Sequence, residues 1–148
     1  MYKEINEFFE SKAIAIVGAS RSKNSFSLNL LRVFAKRGFK VYAVNPNAKS
    51  IEGVESYPSL MQLPNDVDAV YIIKRKDIAI DLAREAANKG IMKIWIHVNC
   101  DSPEIDELCK KYGVTIIVGE CFFMWAEPVR GMHAFHRFLR KLFDRSIP

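Results

Sequence analysis

The sequence predicts an α/β domain in which helices cover both faces of a parallel sheet, the doubly wound arrangement. Apolar runs typical of buried strands alternate with segments whose apolar residues recur at helical spacing. Strands separated by helices are joined by right-handed crossovers, which lay them parallel in one sheet. The chain has 148 residues, a length that suits one unit with a sizeable core, so we expect residues 1–148 to form a single domain.

Five strands are predicted from apolar runs that stop at a glycine, a proline or a polar residue. They are 13–18, 39–46, 67–73, 92–98 and 114–119. The segment 47–64 is rich in turn-forming residues. We expect it to be irregular, apart from a helical turn near 59–62.

Five helices are predicted from apolar spacing and from residues that begin or end helices. They are 2–11, 25–38, 77–90, 102–113 and 131–143. Asp77 and Ser102 are the candidate N-caps of the third and fourth helices. The core is expected within residues 11–121. The last helix is amphipathic and basic, and we expect it to pack on its own domain or to form a homodimer contact.

Composition excludes several classes of protein. The content of 49% hydrophobic and 26% charged residues is that of a globular protein, and no apolar run is long enough to span a membrane. The N-terminus lacks the apolar core of a secretory signal, so a cytoplasmic location is expected. Three cysteines, with no CxxC pair, do not suggest a disulfide framework.

The net charge of +5 indicates either a polyanionic partner or a phosphorylated small molecule. Nucleic acid is the less favoured partner. No DNA-reading motif is present, and basic and aromatic residues are not interleaved along a strand.

The loop after the first strand, GASRSKNS, has the features of a phosphate site. Gly18 permits a tight turn, and the small Ala19 and Ser20 let a phosphate approach the backbone. The following helix points its amide-rich N-terminus at this loop. Hydroxyl and cationic side chains stand at Ser20, Ser22, Ser25, Arg21 and Lys23. In doubly wound sheets, ligands bind beyond the carboxyl ends of the strands, where this loop lies.

The same loop departs from the NAD fingerprint. That fingerprint needs glycines where Ser20 and Lys23 stand, and an acidic residue where the second strand ends in Asn45 and Pro46. Lys49 follows soon after, so NADP stays open as a ligand. Lys74 and Arg75 leave the third predicted strand at its carboxyl end, where they would face the same anion.

Four stretches of the chain resemble the small stand-alone CoA-binding proteins with a Rossmann-like fold. They are IAIVGAS (14–20), VYAVNPNAKSIEGVESYPSL (41–60), VDAVYIIKR (67–75) and GIMKIWIH (90–97). They are similar as well to the CoA-binding domain of the succinyl-CoA synthetase alpha subunit. The pattern VNP…G…YPSL is the most specific, because NAD domains carry nothing similar there.

The resemblance implies that CoA or acyl-CoA binds across the strand ends. The phosphates of CoA would contact Gly18, Ala19, Ser20, Arg21 and Ser22, and the nucleotide would lie near Asn45, Pro46 and Lys49. Lys74 and Arg75 would close the site. The pantetheine end would lie beside segment 97–99, which includes Val98 and Asn99.

The resemblance also implies a binding protein without ligase chemistry of its own, with a regulatory or accessory role. In the synthetases, the phosphorylated histidine lies in a second domain, for which the residues after 121 are too few. The alternative is the NAD(P)-binding domain of an oxidoreductase or a redox sensor.

Histidine and cysteine residues are candidates for a metal site and for a reactive thiol. His97 with Cys100, and His133 with His136, have metal-ligand types three residues apart, but they form no tight cluster in the sequence, so a metal site is not expected. Cys100 follows the fourth predicted strand. It is interpreted as a small residue that fills a loop, the alternative being a thiol that reacts with CoA.

Overall fold

The computed structural model describes residues 1–100 and 102–125. Its centre is one sheet of seven strands in the order β3-β4-β2-β1-β5-β6-β7. Every neighbouring pair is parallel except β3 with β4. The strands are β1 (Ala13–Val17), β2 (Lys40–Val44), β3 (Ser50–Ile51), β4 (Val54–Tyr57), β5 (Ala69–Ile72), β6 (Lys93–Ile96) and β7 (Thr115–Val118). The predicted α/β class and the five predicted parallel strands are confirmed.

The described helices are α1 (Tyr2–Phe9), α2 (Phe26–Lys36), α3 (Lys76–Lys89), α4 (Pro103–Tyr112) and α5 (Phe122–Trp125), with a 3-10 turn at Leu60–Gln62. As predicted, α2, α3 and α4 connect neighbouring parallel strands, whereas α1 precedes β1 and α5, which was not predicted, follows β7. The helix predicted at 131–143 lies outside the described residues. Among the helices that are described, none has the length and apolar character needed to cross a bilayer.

The N-cap predicted for α3 was wrong by two residues. The helix begins at Lys76, with Arg75 in the N-cap position and Asp77 inside the first turn. The cause is a backbone hydrogen bond in which the amide of Ala79 donates to the carbonyl of Arg75 at 2.8 Å, so the helical turn starts before Asp77.

The prediction that 47–64 is irregular was also wrong. This segment contains β3 and β4, and β4 extends the sheet by pairing in parallel with β2. Glu52 and Gly53, with φ of 48° and 81°, make the tight turn between the two strands. Arg32 of α2 donates to the Glu52 carboxylate at 2.7 Å across this turn. Strands of two and four residues are too short for their alternation to be detected in the sequence.

The sheet separates two apolar layers. On one face, side chains of the sheet pack against α3, α4 and the 3-10 turn. On the other face they pack against α1, α2 and α5. All five residues of β1 are buried, which is why its sequence AIAIV is apolar without alternation.

The carboxyl ends of the three central strands are level with one another. Val17 of β1 is in register with Val44 of β2 on one side and with Ile72 of β5 on the other. The chain leaves β1 towards α2 on one face, whereas it leaves β5 towards α3 on the opposite face. The two connections therefore diverge and open a crevice beside β1, the usual ligand position in such sheets.

Gly18 makes the turn out of β1 against the end of β5. Its φ is +93°, a region that residues with a Cβ rarely adopt. Its amide donates to the carbonyl of Val44 at 3.3 Å, and the amide of Ile73 donates to the carbonyl of Val17 at 2.9 Å. A Cβ at Gly18 would lie only 2.5 Å from the carbonyl oxygen of Ile73. Backbone shape and close packing therefore both require glycine here.

We expect Gly18→Ala to lower the free energy of unfolding by more than Gly38→Ala. Gly38 has a similar φ of +84°, but nothing lies within 4 Å of its missing Cβ. Both variants lose about 1–2 kcal/mol from the positive φ. Gly18→Ala also forces a backbone collision, which costs about 1–3 kcal/mol more.

Urea denaturation of the two variants measures this difference. Equal stability of Gly18→Ala and Gly38→Ala would show that the contact with Ile73 does not constrain the turn.

Candidate functional site

The loop after β1 is held by hydrogen bonds among its serines. The amide of Ser20 donates to Ser27 Oγ at 2.9 Å, and the amide of Ser22 donates to Ser20 Oγ at 3.1 Å. Ser25 is the N-cap of α2, where its Oγ accepts from the amide of Leu28 at 3.2 Å. These hydroxyls therefore order the loop. Ser20 and Ser25 are partly exposed, whereas Ser27 is buried.

Several backbone amides at this loop have no acceptor among the described residues. In the part of the chain that the structure describes, the amides of Arg21, Lys23, Asn24 and Phe26 make no hydrogen bond to protein. They surround the start of α2, a helix of 11 residues whose dipole favours negative charge at this end. Unused N–H donors at a helix N-terminus are the usual ligands of a phosphate group.

Asn45, at the end of β2, fastens the loop to the sheet. Its Nδ2 donates to the carbonyl of Ala19 at 2.8 Å, and its Oδ1 accepts from the amide of Asn47 at 2.7 Å. Its own amide donates to the carbonyl of Tyr57 at 3.0 Å. Through its side chain and its backbone together, Asn45 thus links the ends of β1, β2 and β4 at the carboxyl edge. Pro46 beside it is exposed.

Lys74 is the cation that the structure places against the loop. Its Cε would be 3.2 Å from a Cβ at Gly18, so the side chain lies over the start of the turn. Within residues 1–100 and 102–125 it forms no ion pair, and neither do Arg21 and Lys23. The charge is therefore available to an anion.

Lys49 lies farther from the loop, and Arg75 has a carboxylate partner of its own. Arg75 pairs with Asp77 at 3.3 Å, and both side chains are largely exposed. The carbonyl of Lys49 accepts from the amide of Ser56 at 3.0 Å, which places Lys49 beside β4 at the carboxyl edge. It precedes β3, three strands from β1, or about 14 Å at ordinary strand spacing.

Residues 97–99, which follow β6, lie at the same carboxyl edge of the sheet as the loop after β1. His97 stacks on Phe26 with ring centroids 4.4 Å apart, and its Nδ1 lies 3.1 Å from the Tyr71 hydroxyl. Val98 is partly buried against the layer of α3 and α4. Asn99 is exposed and lies close to Gly119, where an added Cβ would be 3.2 Å from Asn99 Cβ.

Burial changes the acid–base properties of this exit. It lowers the pKa of His97, because desolvation disfavours the imidazolium form. Burial also raises the pKa of Tyr71, so that its hydroxyl stays protonated. The phenol and a neutral imidazole therefore meet at 3.1 Å.

The structure also locates Cys100 and shows the metal-ligating side chains among the described residues. Cys100 is fully buried in the layer under α3 and α4, in agreement with the interpretation as a filling residue. No group of three metal-ligating side chains occurs in the described residues. His133 and His136 lie outside them.

The structure brings together the loop residues, Asn45 and Lys74, which the sequence placed on separate connections. Lys49 lies apart from that group, beside β4, and Arg75 is paired with Asp77. Tyr71 and Phe26 could not be placed from the sequence, because their contacts with His97 join three elements far apart in the chain.

A cavity of about 420 Å³ lies elsewhere, between α3 and α4. It is open and is lined by charged residues of the helix surfaces, among them Arg84, Glu104 and Lys111. It has none of the loop amides of the carboxyl edge, so it does not compete as the phosphate site.

Comparison with known proteins identifies the family. Residues 12–126 match the family model described as a CoA-binding domain. This span covers the whole parallel sheet and the loop after β1.

Individual relatives agree. The chain is 31% identical over 125 residues to acetate–CoA ligase (ADP-forming) II of Archaeoglobus fulgidus, a match over 76% of this chain but only 19% of the ligase. It is 26% identical to the protein YneT of Bacillus subtilis, over 80% of this chain and 88% of YneT.

A solved structure shows the same fold. A conserved hypothetical protein from Pyrococcus furiosus superposes with a TM-score of 0.70 and 33% identity, over 78% of this chain and 99% of that protein. With a level carboxyl edge, a loop of unused amides and a family match across both, the chain belongs to the family of CoA-binding domains with a Rossmann-like fold.

Proposed function

We propose that this protein binds CoA or acyl-CoA at the carboxyl edge of the sheet and serves a regulatory or accessory role. The observation that carries the proposal is the loop after β1, where unused amides of Arg21, Lys23, Asn24 and Phe26 surround the start of α2 beside the Lys74 side chain. A doubly charged pyrophosphate is the anion that such an arrangement suits.

The rest of the ligand then has two directions in which to extend. Towards β2 and β4, the phosphorylated ribose of CoA would approach Lys49, whose charge is unpaired in the described residues. Towards β5 and β6, the pantetheine arm would pass the exit at Val98 and Asn99. Gly18, Ala19, Ser20 and Ser22 shape the turn, and Asn45 with Pro46 holds it.

The cations contribute in unequal ways in this proposal. Lys74 lies over the turn and acts directly on the pyrophosphate. Arg75 is partly neutralised by Asp77. Its effect on a bound phosphate is therefore mainly long-range attraction, which salt screens.

The proposed role excludes ligase chemistry by this region. The ligase relative of Archaeoglobus fulgidus carries most of its length outside the match, since the chain spans about a fifth of it, 19%. Cys100, the thiol that the sequence placed nearest the edge, is fully buried. We propose that the region binds its ligand and leaves any transfer step to another protein or domain.

An NAD(P)-binding domain is the alternative, and the strand order gives it some support. The order β4-β2-β1-β5-β6-β7 is the one that dinucleotide-binding sheets use. However, the ribose of NAD needs a carboxylate at the end of β2, and Asn45 stands there with both ends of its amide bonded inside the chain. CoA has no such requirement.

Calorimetric titration of the purified protein with CoA, NAD and NADP tests the proposal. We expect CoA to bind and the two nicotinamide dinucleotides to bind at least about tenfold more weakly, a difference of about 1.4 kcal/mol. Tighter binding of NAD or NADP would favour the oxidoreductase alternative, and binding of none of the three would contradict both.

Replacement of single cations tests the placement of the ligand. We expect Lys74→Ala to weaken CoA binding about tenfold, because a charged hydrogen bond to a phosphate contributes about 1.5–3 kcal/mol. Lys49→Ala should weaken CoA binding but leave the binding of 3′-dephospho-CoA unchanged, since its proposed partner is the ribose phosphate.

Lys36→Ala is the matched control, because Lys36 is an exposed lysine at the far end of α2. Arg75→Ala should have an effect smaller than that of Lys74→Ala. If Lys74→Ala binds CoA as the wild type does, the pyrophosphate does not lie at the loop after β1.

A further inference from the structure

His97, Tyr71 and Phe26 form a cluster at the edge that the phosphate site does not use. Tyr71 is in β5, His97 follows β6, and Phe26 is the first residue of α2. The Tyr71 hydroxyl meets His97 Nδ1 at 3.1 Å, and the imidazole stacks on Phe26 with an angle of 30° between the rings. One ring nitrogen and the ring plane are thus both fixed.

The contacts determine which nitrogen of His97 carries the proton. Tyr71 is fully buried, so its phenolic proton needs an acceptor within the protein. In the described residues, the acceptor that the geometry offers is His97 Nδ1. Tyr71 therefore donates to Nδ1, and a neutral imidazole must then hold its own proton on Nε2.

Within the described residues the Nε2–H group has no acceptor, because the one side-chain hydrogen bond of this ring joins Nδ1 to the Tyr71 hydroxyl. Because Nδ1 faces the buried Tyr71, Nε2 lies on the other side of the half-buried ring. Nε2 is not among the buried side-chain nitrogens and oxygens that lack a partner in the described residues, so it is open to solvent, and a ligand acceptor can take the place of water there.

The position suits the outer part of the proposed ligand. β6 is two strands from β1, about 10 Å at ordinary strand spacing. Phe26 lies directly after the N-cap of α2, so the aromatic contact ties His97 to the loop after β1. If the pyrophosphate of CoA binds at this loop, the pantetheine arm attached to it is long enough to reach His97. The strong hydrogen-bond acceptors of that arm are its amide carbonyl oxygens.

We propose that His97, oriented by Tyr71 and Phe26, donates a hydrogen bond from Nε2 to an amide carbonyl oxygen of the pantetheine arm. This inference rests on the proposed function. His97 is the contacting residue, whereas Tyr71 is a positioning residue that selects the tautomer. Phe26 fixes the plane of the ring and gives the arm an apolar neighbour.

Titration of His97→Phe with CoA and with 3′-phospho-ADP tests the inference. Phenylalanine keeps the stacking on Phe26 but removes both nitrogens. We expect CoA and acetyl-CoA to bind about tenfold more weakly, the effect of one neutral hydrogen bond. Binding of 3′-phospho-ADP, which lacks the arm, should not change, and this shows that the loop is intact.

Two other variants separate contact from packing. His97→Gln retains an N–H donor near the position of Nε2 and should bind CoA within about threefold of the wild type. Tyr71→Phe should weaken CoA binding about two- to threefold, because the proton is then no longer confined to Nε2. Tyr112→Phe on α4, which loses a hydroxyl that donates to Asn88 of α3 at 2.7 Å, is the control and should have no effect.

The ¹⁵N chemical shifts of the His97 imidazole report which ring nitrogen carries the proton, a property that would not change if Tyr71 served only to pack against the ring. We expect the Nε2–H tautomer of His97 in the wild type and a mixture of tautomers in Tyr71→Phe. A wild type with Nδ1–H, or His97→Phe with wild-type affinity for CoA, would overturn the inference while CoA binding stands. A loss confined to acetyl-CoA would also overturn it, since the acceptor would then be the thioester. A wild type that binds no CoA would overturn the proposed function as well.

Discussion

The close approach of the β1 turn to the end of β5 is the constraint on which the rest of the site depends. A Cβ at Gly18 would lie 2.5 Å from the Ile73 carbonyl oxygen, so only glycine allows the chain to turn there with φ of +93°. That turn aims the serine loop over the start of α2. It also brings Lys74, which follows β5, against the same loop.

Hydrogen bonds at the carboxyl edge of the sheet order the loop after β1 before any ligand binds. Asn45 and the serines fix the loop, so that little conformational entropy remains to be lost when a ligand binds. In the proposed complex, the unused amides set the position of a phosphate at short range, and the lysines provide the positive charge that attracts it. We attribute specificity mainly to the ordered amides and to the half-buried exit at His97, because a lysine attracts the phosphate groups of many ligands alike.

Much of this architecture was predictable from the sequence. The unbroken apolar run 13–17 required burial on both faces, and the alternation of strands and helices required a parallel sheet. The β3–β4 hairpin was missed, because strands of two and four residues leave no pattern. Lys74 and Arg75 looked equivalent in the sequence, yet Arg75 pairs with Asp77 and Lys74 lies over Gly18. The Tyr71–His97 contact spans 26 residues and two strands, so only the fold could disclose it.

The measurement that tests the central claim most directly is an amide ¹H–¹⁵N titration of the protein with CoA. The account predicts that the largest shifts occur at the loop amides of Arg21, Lys23, Asn24 and Phe26, with smaller shifts at the exit of β6. The groove between α3 and α4, around Arg84 and Lys111, should stay unchanged. Shifts centred on that groove, with the loop amides unmoved, would contradict the account.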